Sequence, residues 1–335
     1  MKLVAALIAL PLALSAADKL QIYFIDVEGG ASTLVVTAAG ETVLMDAGYA
    51  GLGGRDPGRI AHVLKTEVKA RKIDYFLTSH FHGDHVGGVV ELAKLVPIQQ
   101  FVDHGDSVEA AGRGKDVWEA YLATAGFKRK SVKPGERLPL KGAELTIVAS
   151  HSQTLGKPMF PAGPNPHCAD AKMHPEDAGE NGKSLGYLLK VGDFEFANLG
   201  DLSWNFQHAM ACPTNLIGEV DLFQVTHHGV RDDVAPQQAR ALNPTVAVMN
   251  NGPKKGGGAE AYEHVMGIPG LKDLWQLHRA LGNDAAHNTA EERTANTTGI
   301  EGCEAHWIRA TLHDDGSYTV TNSRNNHSKT YKSKP

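Results

Sequence analysis

The sequence predicts one α/β domain, built from two mixed β-sheets with helices on their outer sides. Apolar runs of strand length alternate with amphipathic segments of helical period, which is typical of this class. The strand runs fall into two sets, before and after an irregular segment at residues 151–183. No internal repeat interrupts the pattern, so we expect a single core rather than an array.

The N-terminus reads as a secretory signal peptide over residues 1–17. Lys2 supplies a positive start, and Leu3–Leu14 form an apolar stretch too short to span a bilayer comfortably. Small residues follow and allow cleavage after Ala17, or alternatively after Ser15. We therefore expect export to a periplasmic or extracellular location, and one domain over residues 18–335 with no later transmembrane span.

The elements follow in order from apolar period and turn residues. In the first set we predict strands at 20–27, 32–37, 41–46, 73–79, 98–104 and 144–150, with helices at 56–72, 86–96 and 114–126. In the second set we predict strands at 184–191, 194–202, 219–226, 245–251, 306–313 and 317–323, with helices at 235–242 and 260–267. The segment between the last helix and the last pair of strands is predicted to be irregular.

Composition narrows the classes of function. The formal charge is −5 and no basic stretch occurs, which argues against tight, sequence-independent binding of nucleic acid. The 17 histidines prompt a search for metal ligands. Of the three cysteines, Cys168 and Cys212 lie in long loops and are the preferred disulfide pair, with Cys303 left over. No CxxC spacing indicates a thiolate zinc site.

The stretch "TSHFHGDHVGG" (78–88) crowds metal ligands into a few residues. His80 and His82 are two apart after an extended run, so both imidazoles point the same way and can share one ion. Asp84 and His85 follow where the chain turns toward a helix, so they aim at a second ion. The alternative, a polar surface loop, fits poorly with an apolar strand before the stretch and paired glycines after it.

Three further stretches complete a resemblance to the metallo-β-lactamase superfamily. "VLMDAG" (43–48) resembles the segment whose aspartate, here Asp46, supports the site from behind. "FANLGDL" (196–202) resembles the strand whose aspartate, here Asp201, bridges two metals. "VTHHGV" (225–230) resembles the late histidine motif. The HxHxDH stretch itself resembles the signature of this superfamily.

The resemblance implies an αββα sandwich, with helices outside both sheets, and a dinuclear metal site. We expect two Zn²⁺ ions, with Mn²⁺ or Fe as alternatives because nitrogen and carboxylate ligands tolerate all three. The expected ligands are His80, His82, Asp84, His85, Asp201 and His227. A hydroxide between the ions would attack the substrate. Asp84 is expected to be a catalytic residue as well as a metal ligand.

One departure concerns the first ion. Most relatives carry a histidine before the strand that leads to the Gly-Asp, whereas this chain has Asn181 and Ser184 there. A similar replacement is found in the branch that includes the hydrolase domain of competence DNA-uptake channels and the phosphorylcholine esterases. Either the first ion lacks one protein ligand, or His151, His167 or His174 supplies it. Asn181 is expected to support the site from behind.

The sequence pattern leaves more than one role open for the remaining candidate site residues. His227 ends a strand as the ligand does in relatives, which leaves His228 as a ligand, a substrate contact or a proton donor. Lys254 and Lys255, in a glycine-rich loop, are candidate contacts for an anionic substrate, and His278 is a candidate general acid for the leaving group. The alternative for these last three is a solvated loop and a helix end.

The predicted function is that of an exported, metal-dependent hydrolase of a phosphodiester or related phosphate ester. A metal-bridging aspartate suits phosphoesterases, lactonases and thioester hydrolases of the superfamily. Lactone or β-lactam hydrolysis on the same fold is an alternative, and a non-catalytic metal-binding protein with an incomplete first site is another. The sequence leaves the natural substrate and the oligomeric state open.

Overall fold

The structure is a computed structural model that describes residues 18–169, 171–231 and 233–334. The predicted signal peptide, residues 1–17, lies outside the described residues. The strands are β1 (Leu20–Phe24), β2 (Thr33–Thr37), β3 (Thr42–Met45), β4 (Ile73–Leu77), β5 (Ile98–Asp103), β6 (Arg129–Ser131), β7 (Arg137–Leu138), β8 (Glu144–Ser150), β9 (Gln153–Thr154), β10 (Gly186–Val191), β11 (Phe194–Asn198), β12 (Leu222–Gln224), β13 (Val246–Met249), β14 (Asp273–His278), β15 (Thr294–Asn296), β16 (Ile308–Leu312), β17 (Ser317–Asn322) and β18 (Ser328–Lys332).

The α-helices lie between these strands. They are α1 (Arg55–His62), α2 (Val89–Leu95), α3 (Lys115–Ala125), α4 (Trp204–Ala211), α5 (Pro236–Leu242) and α6 (Ala259–Met266). Within the described ranges, no helix combines the length and the apolar content that a bilayer span requires.

The strands form two mixed sheets. The first has the order β18-β17-β16-β1-β2-β3-β4-β5-β6, and the second β15-β14-β13-β12-β11-β10-β8-β7 with β9 beside β8. In the first sheet, β3, β4, β5 and β6 run parallel, and in the second β11 to β15 run parallel. The carboxyl ends of parallel strands and the loops after them commonly carry the site in α/β folds.

Three apolar layers hold the sheets and helices together. One lies between the sheets, where Phe24 and Phe196 meet edge to face with ring centroids 5.9 Å apart. A second layer packs α1 to α3 on the first sheet and includes Ile60 and Phe76. A third packs α4 to α6 on the second sheet and includes Met210. The architecture is therefore helix, sheet, sheet, helix, which confirms the predicted fold class.

Most predicted elements are found, and a few elements of the structure were not predicted. The helix α4 and the strands β14 and β18 were not predicted, because their apolar positions are few or are interrupted by polar residues. The strands β6, β7, β9 and β15 were not predicted because each has only two or three residues. β14, "DLWQLH", is buried at every position within the segment predicted to be irregular. Burial on both sides removes the alternation by which a strand is recognised.

The loop before β10 is tied to the end of α4 by a disulfide bond between Cys168 and Cys212, as predicted. Asn165, three residues earlier, donates from its side-chain amide to the Ala211 carbonyl at 2.9 Å, so the same contact is held twice. Cys303 is a free thiol.

Replacing both Cys168 and Cys212 by serine should lower the free energy of unfolding by about 2–4 kcal/mol, since the bridge joins residues 44 apart and restrains the unfolded chain. Urea unfolding of the oxidised protein measures the change, and Cys303→Ser is the matched control. Peptide mapping that finds a bridge to Cys303, or equal stability of the two variants, would contradict the assignment.

Candidate metal centre

The stretch that follows β4 passes close to neighbouring backbone before α2 begins. A Cβ at Gly88 would lie 2.2 Å from the Ala47 carbonyl oxygen, and one at Gly30 would lie 2.4 Å from the Asp84 carbonyl oxygen. Both contacts are far inside van der Waals distance, so glycine is required at both positions. This close approach holds the turn at Asp84 against the loops after β1 and β3.

Four side chains converge from both sheets. Asp84, His85, Asp201 and His228 each offer one atom, and these atoms all lie within 4.8 Å of one another. Nε2 of His85 is 3.1 Å from Nε2 of His228 and 3.1 Å from Oδ2 of Asp201. Nε2 of His228 is 3.4 Å from the carboxylate oxygens of both aspartates.

These spacings fit a metal ion. Ligand atoms about 2.0–2.1 Å from one tetrahedral ion lie roughly 3.4 Å apart. Two imidazole nitrogens that face each other at 3.1 Å repel if both are unprotonated, and a cation between them removes the repulsion. The donor set is nitrogen and carboxylate oxygen without sulfur, which suits zinc, manganese or iron.

A second pair of imidazoles lies beside this cluster. Nε2 of His80 is 3.0 Å from Nδ1 of His82 and 4.0 Å from Oδ2 of Asp201. His80 is fully buried, whereas the side chain of His82 is 34% exposed and its Nε2 lies 3.5 Å from Oε1 of Glu109. The structure thus brings the two histidines together. Asp201, a member of the cluster, also lies near His80 of this pair.

Asp46 and Ser79 orient the imidazoles from behind. Oδ2 of Asp46 is 2.8 Å from Nδ1 of His85, so the opposite nitrogen of that ring faces the cluster. Ser79 donates to Asp46 from its backbone N–H at 2.8 Å and from its hydroxyl at 2.7 Å. The hydroxyl is also 3.0 Å from Nδ1 of His80. One buried carboxylate therefore sets the direction of residues in both halves of the motif.

The electrostatics keep the carboxylates ionised. Burial alone would raise the pKa of Asp201, but the imidazoles of His228, His85 and His227 hold it well below its usual range. The pKa of Asp84 is likewise lowered, against the effect of burial, mainly by His85. Burial and the neighbouring His85 lower the pKa of His80, which leaves that imidazole neutral and able to bind a metal.

The late histidine pair corrects the prediction. His228 is fully buried in the cluster, whereas His227 has Nε2 3.5 Å from Asp201 and Nδ1 2.9 Å from Asp233. The reason is a left-handed turn after β12, with φ of 51° at His227, 53° at His228 and 67° at Gly229. The geometry therefore favours His228 as the ligand over the predicted His227, which lies beside the cluster.

His278 does not act where it was predicted to act. It ends the buried strand β14, with Nε2 2.6 Å from Oδ1 of Asp26, and forms no part of a flexible lip. Asp26, His278 and the Cys303 thiol are close enough to share an ion. However, the Arg59 guanidinium already contacts Asp26 at 2.9 Å, and burial with the nearby Asp26 charge raises the pKa of the thiol to about 12. The Asp26 carboxylate is thus paired with both Arg59 and His278, and this buried arrangement differs from the flexible lip in which His278 was predicted to act as a general acid.

The two lysines of the glycine-rich loop after β13 differ in position. The Lys255 ammonium contacts Oδ2 of Asp84, and its charge lies beside the cluster. Lys254 is exposed. Of the two lysines predicted to contact the substrate, Lys255 therefore lies at the site and Lys254 lies on the surface.

The segment before β10, where most relatives carry a metal-binding histidine, contains Asn181 in this chain. Asn181 lies in a short 3₁₀ helix, and its buried Oδ1 has no hydrogen-bond partner within the described part of the chain. His151 lies 6.1 Å from His104 between ring centroids, while His167 and His174 line a cavity of about 390 Å³ with Trp204. Glu180, which sequence reasoning missed, is fully buried beside Phe81, in the middle of the motif.

The sequence was compared with known families. The profile of the metallo-beta-lactamase superfamily matches residues 25–178, a range that includes the whole HxHxDH stretch. The match agrees with the two mixed sheets, the outer helices and the ligand loops after the parallel strands. The chain has the fold of the metallo-β-lactamase superfamily. Asp201 and His228 lie beyond the matched range, and their place in the site rests on geometry.

Individual relatives match part of this chain. A metal-dependent hydrolase of Anaeromyxobacter sp. (strain K) is 35% identical over 124 residues, which are 36% of this chain and 40% of that protein. A hydroxyacylglutathione hydrolase of Yersinia pestis (strain Pestoides F) is 31% identical over 116 residues, 34% of this chain and 40% of that protein. This chain thus spans about two fifths of the length of these relatives. The metallo-beta-lactamase fold protein YhfI from Bacillus subtilis is 11% identical with a TM-score of 0.47, over 77% of this chain and 96% of that chain.

Mutations in the two halves of the HxHxDH motif, His80 with His82 and Asp84 with His85, should change metal binding in different ways. His82→Ala should remove about one ion per chain, because the His80 side of the site has few protein ligands. Asp84→Ala should weaken metal binding but let it recover in excess zinc, since His85, Asp201 and His228 remain. Metal content after dialysis, with and without added zinc, measures both effects.

The solvent-exposed Asp106→Ala, on a nearby loop, is the control for the surface charge. If His82→Ala and Asp84→Ala both keep the wild-type metal content, the motif is only a polar loop.

Proposed function

We propose that this chain is a metal-dependent hydrolase of a phosphodiester or a related phosphate ester. The observation that carries the proposal is the position of Asp201: its Oδ2 lies 3.1 Å from His85, 3.4 Å from His228 and 4.0 Å from His80. One carboxylate thus faces two groups of imidazoles and is placed to serve two ions. Two Zn²⁺ ions are the proposed cofactors, and Mn²⁺ or Fe would suit the same ligands.

The residues have separate tasks in this proposal. His80, His82 and Asp201 would hold one ion, and Asp84, His85, His228 and Asp201 the other. A bound ion of this kind lowers the pKa of a water molecule and so supplies a nucleophile at neutral pH. Asp46 fixes the direction of the His85 ring through the 2.8 Å contact with its Nδ1.

An anionic substrate is favoured by Lys255. Its ammonium lies beside Asp84 at the edge of the cluster, and burial, which would lower its pKa, is outweighed by the charges of Asp84 and Asp201. The lysine therefore stays protonated and offers a fixed positive charge to a phosphate oxygen. A phosphodiester carries the negative charge that such a lysine attracts, while a neutral lactone does not.

The sequence around the site also supports this substrate class. "FIDVEGGASTLV", the Asn181 and Ser184 replacement and "THHG" resemble the branch that includes the competence-channel hydrolase domain and the phosphorylcholine esterases. In this chain the first of these segments brings Gly30 against the Asp84 carbonyl, and the last forms the left-handed turn at His228. The resembling residues thus build the site itself.

A thioester is the second candidate substrate. The relative from Yersinia pestis is named a hydroxyacylglutathione hydrolase, and its 31% identity over 116 residues favours a thioester of that kind. Lactone or β-lactam hydrolysis and a non-catalytic metal-binding role are further alternatives.

The proposed location is the periplasm or the extracellular space. The N-terminal sequence has the pattern of a signal peptide, and the Cys168–Cys212 disulfide suits an oxidising compartment. Cell fractionation with detection of the mature N-terminus by mass spectrometry tests this part of the proposal.

Asp201→Asn should reduce hydrolysis by roughly 100-fold or more, because the amide cannot neutralise two cations. The side chain is nearly isosteric, so the thermal unfolding of the metal-free protein should stay close to that of the wild type. Turnover, metal content and unfolding are measured on the same preparation. Wild-type turnover in the variant would overturn the dinuclear assignment.

Lys255→Ala should raise KM for an anionic substrate by about 10- to 100-fold, as expected when a charged hydrogen bond is lost. The matched control is Lys254→Ala, which removes an exposed ammonium one residue away and should leave KM unchanged. The substrates are bis-p-nitrophenyl phosphate, a phosphorylcholine ester, a glutathione thioester, a homoserine lactone and nitrocefin.

Four outcomes of the turnover and metal measurements would change the proposal. Turnover of nitrocefin alone or of the lactone alone would reverse the order of substrates, and turnover of the thioester alone would favour the second candidate. Fewer than one zinc per chain, with no substrate turned over, would support the non-catalytic alternative.

A further inference from the structure

We infer that Glu180 is a positioning residue that holds the His80–His82 pair in the direction needed to bind a cation. The inference deepens the proposed function and rests on it. Glu180 belongs to neither group of possible metal ligands among the described residues, so it is not assigned as a ligand. It acts on the backbone between the two histidines.

The Glu180 carboxylate is fully buried and accepts four hydrogen bonds. One donor is the backbone N–H of Phe81, at 3.2 Å from Oε2, and His104 donates to the same oxygen at 3.1 Å. The other oxygen accepts from the Ser107 hydroxyl at 2.5 Å and the Val108 N–H at 2.7 Å. A carboxylate with four donors has no freedom to turn, so it fixes the amide of Phe81 in space.

A second contact from the same segment holds the other side of His80. The N–H of Leu185 donates to the Ser79 carbonyl at 2.7 Å. The short stretch from Ser79 to Phe81 is therefore anchored at both ends by residues 180–185. His80 lies between the two anchors, and His82 follows directly after the second.

The Phe81 side chain adds a steric anchor. Its ring contacts Trp118 edge to face at 4.5 Å between centroids, Tyr121 at 5.0 Å and His104 at 4.9 Å. The His104 ring thus touches the Phe81 ring and donates to Glu180 at the same time. The Phe81 ring and the Phe81 N–H are therefore both fixed, which restricts rotation of the backbone between His80 and His82.

The carboxylate remains charged throughout the neutral range. Burial would raise the pKa of Glu180, but the hydrogen bonds from His104 and Ser107 outweigh it and lower the pKa to about 2. A neutral glutamine at this position would turn an NH₂ group toward one of these donors and would lose at least one of the four bonds.

Positioning matters here because the first ion has few protein ligands. The segment just before β10 carries Asn181 and Ser184 where most relatives have a histidine, so the proposed first site consists of two imidazoles and Asp201. Residues that orient ligands from behind typically change metal affinity by about 10- to 100-fold. The loss should be greatest at the position with the fewest ligands.

The test is the affinity of Glu180→Gln for Zn²⁺, measured by competition with a chelator, and for Co²⁺, measured by visible absorption. We expect the weaker of the two ions to bind about 10- to 100-fold more weakly and the other to be unchanged, in the pattern of His82→Ala and not of Asp84→Ala. A role in folding alone would not separate the two ions.

The matched control is Asp221→Asn. Asp221 is a buried carboxylate that accepts from the backbone N–H groups of Glu195 at 3.0 Å and Lys334 at 2.8 Å. It precedes β12, at the opposite end of the strand from the site. Ser107→Ala, which removes one donor to Glu180, is the milder variant if Glu180→Gln does not fold, and it should show a smaller loss at the same ion.

The outcomes separate the inference from the proposed function. Equal weakening of both ions, or the same loss in Asp221→Asn, would overturn the positioning role while wild-type metal binding and hydrolysis stand. Unchanged affinity in both Glu180→Gln and Ser107→Ala would overturn it as well. A wild type that binds no metal would overturn the proposed function and the inference together.

Discussion

Two buried carboxylates, Asp46 and Asp201, and the partly buried Asp84 converge on one imidazole, and this concentration of negative charge is the constraint on which the site depends. His85 has Asp46 at 2.8 Å on one ring nitrogen, and Asp84 and Asp201, each at 3.1 Å, on the other. So much buried charge is unfavourable without compensating positive charge. Protons on the imidazoles or the ammonium of Lys255 can offset part of it, and a divalent cation can offset more. The arrangement therefore favours the binding of a cation over the stability of the empty site.

Both sheets are needed to build this arrangement. Asp46 follows β3 and the HxHxDH stretch follows β4, while Asp201 follows β11 and His228 follows β12. Each of these loops leaves the carboxyl end of a strand that has a parallel neighbour, so the side chains are delivered to one edge of the sandwich. The apolar layer between the sheets, with Phe24 against Phe196, is what sets the distance between the two halves of the site.

The fold class and the spacing of the motif could be predicted from the sequence because both are local patterns. His80 and His82 point the same way because side chains two residues apart in an extended chain lie on one side. The glycines at 87 and 88 indicate that another backbone segment packs closely there. The choice between His227 and His228 could not be predicted, because a left-handed turn decides it. The burial of His278 was missed with its strand, and Glu180 was missed because its partners are 72 to 99 residues away.

If these residues hold an ion, the division of ligands between the sheets would couple metal supply to protein lifetime. An ion held by Asp84, His85, Asp201 and His228 cannot bind a chain in which the sheets have come apart. Binding to the native state alone raises the free energy of unfolding with free metal concentration by mass action. Scarcity of metal then enlarges the unfolded fraction that proteases attack. For a chain of this design, the abundance of the ion in its compartment would govern how long each molecule survives as well as whether it is active.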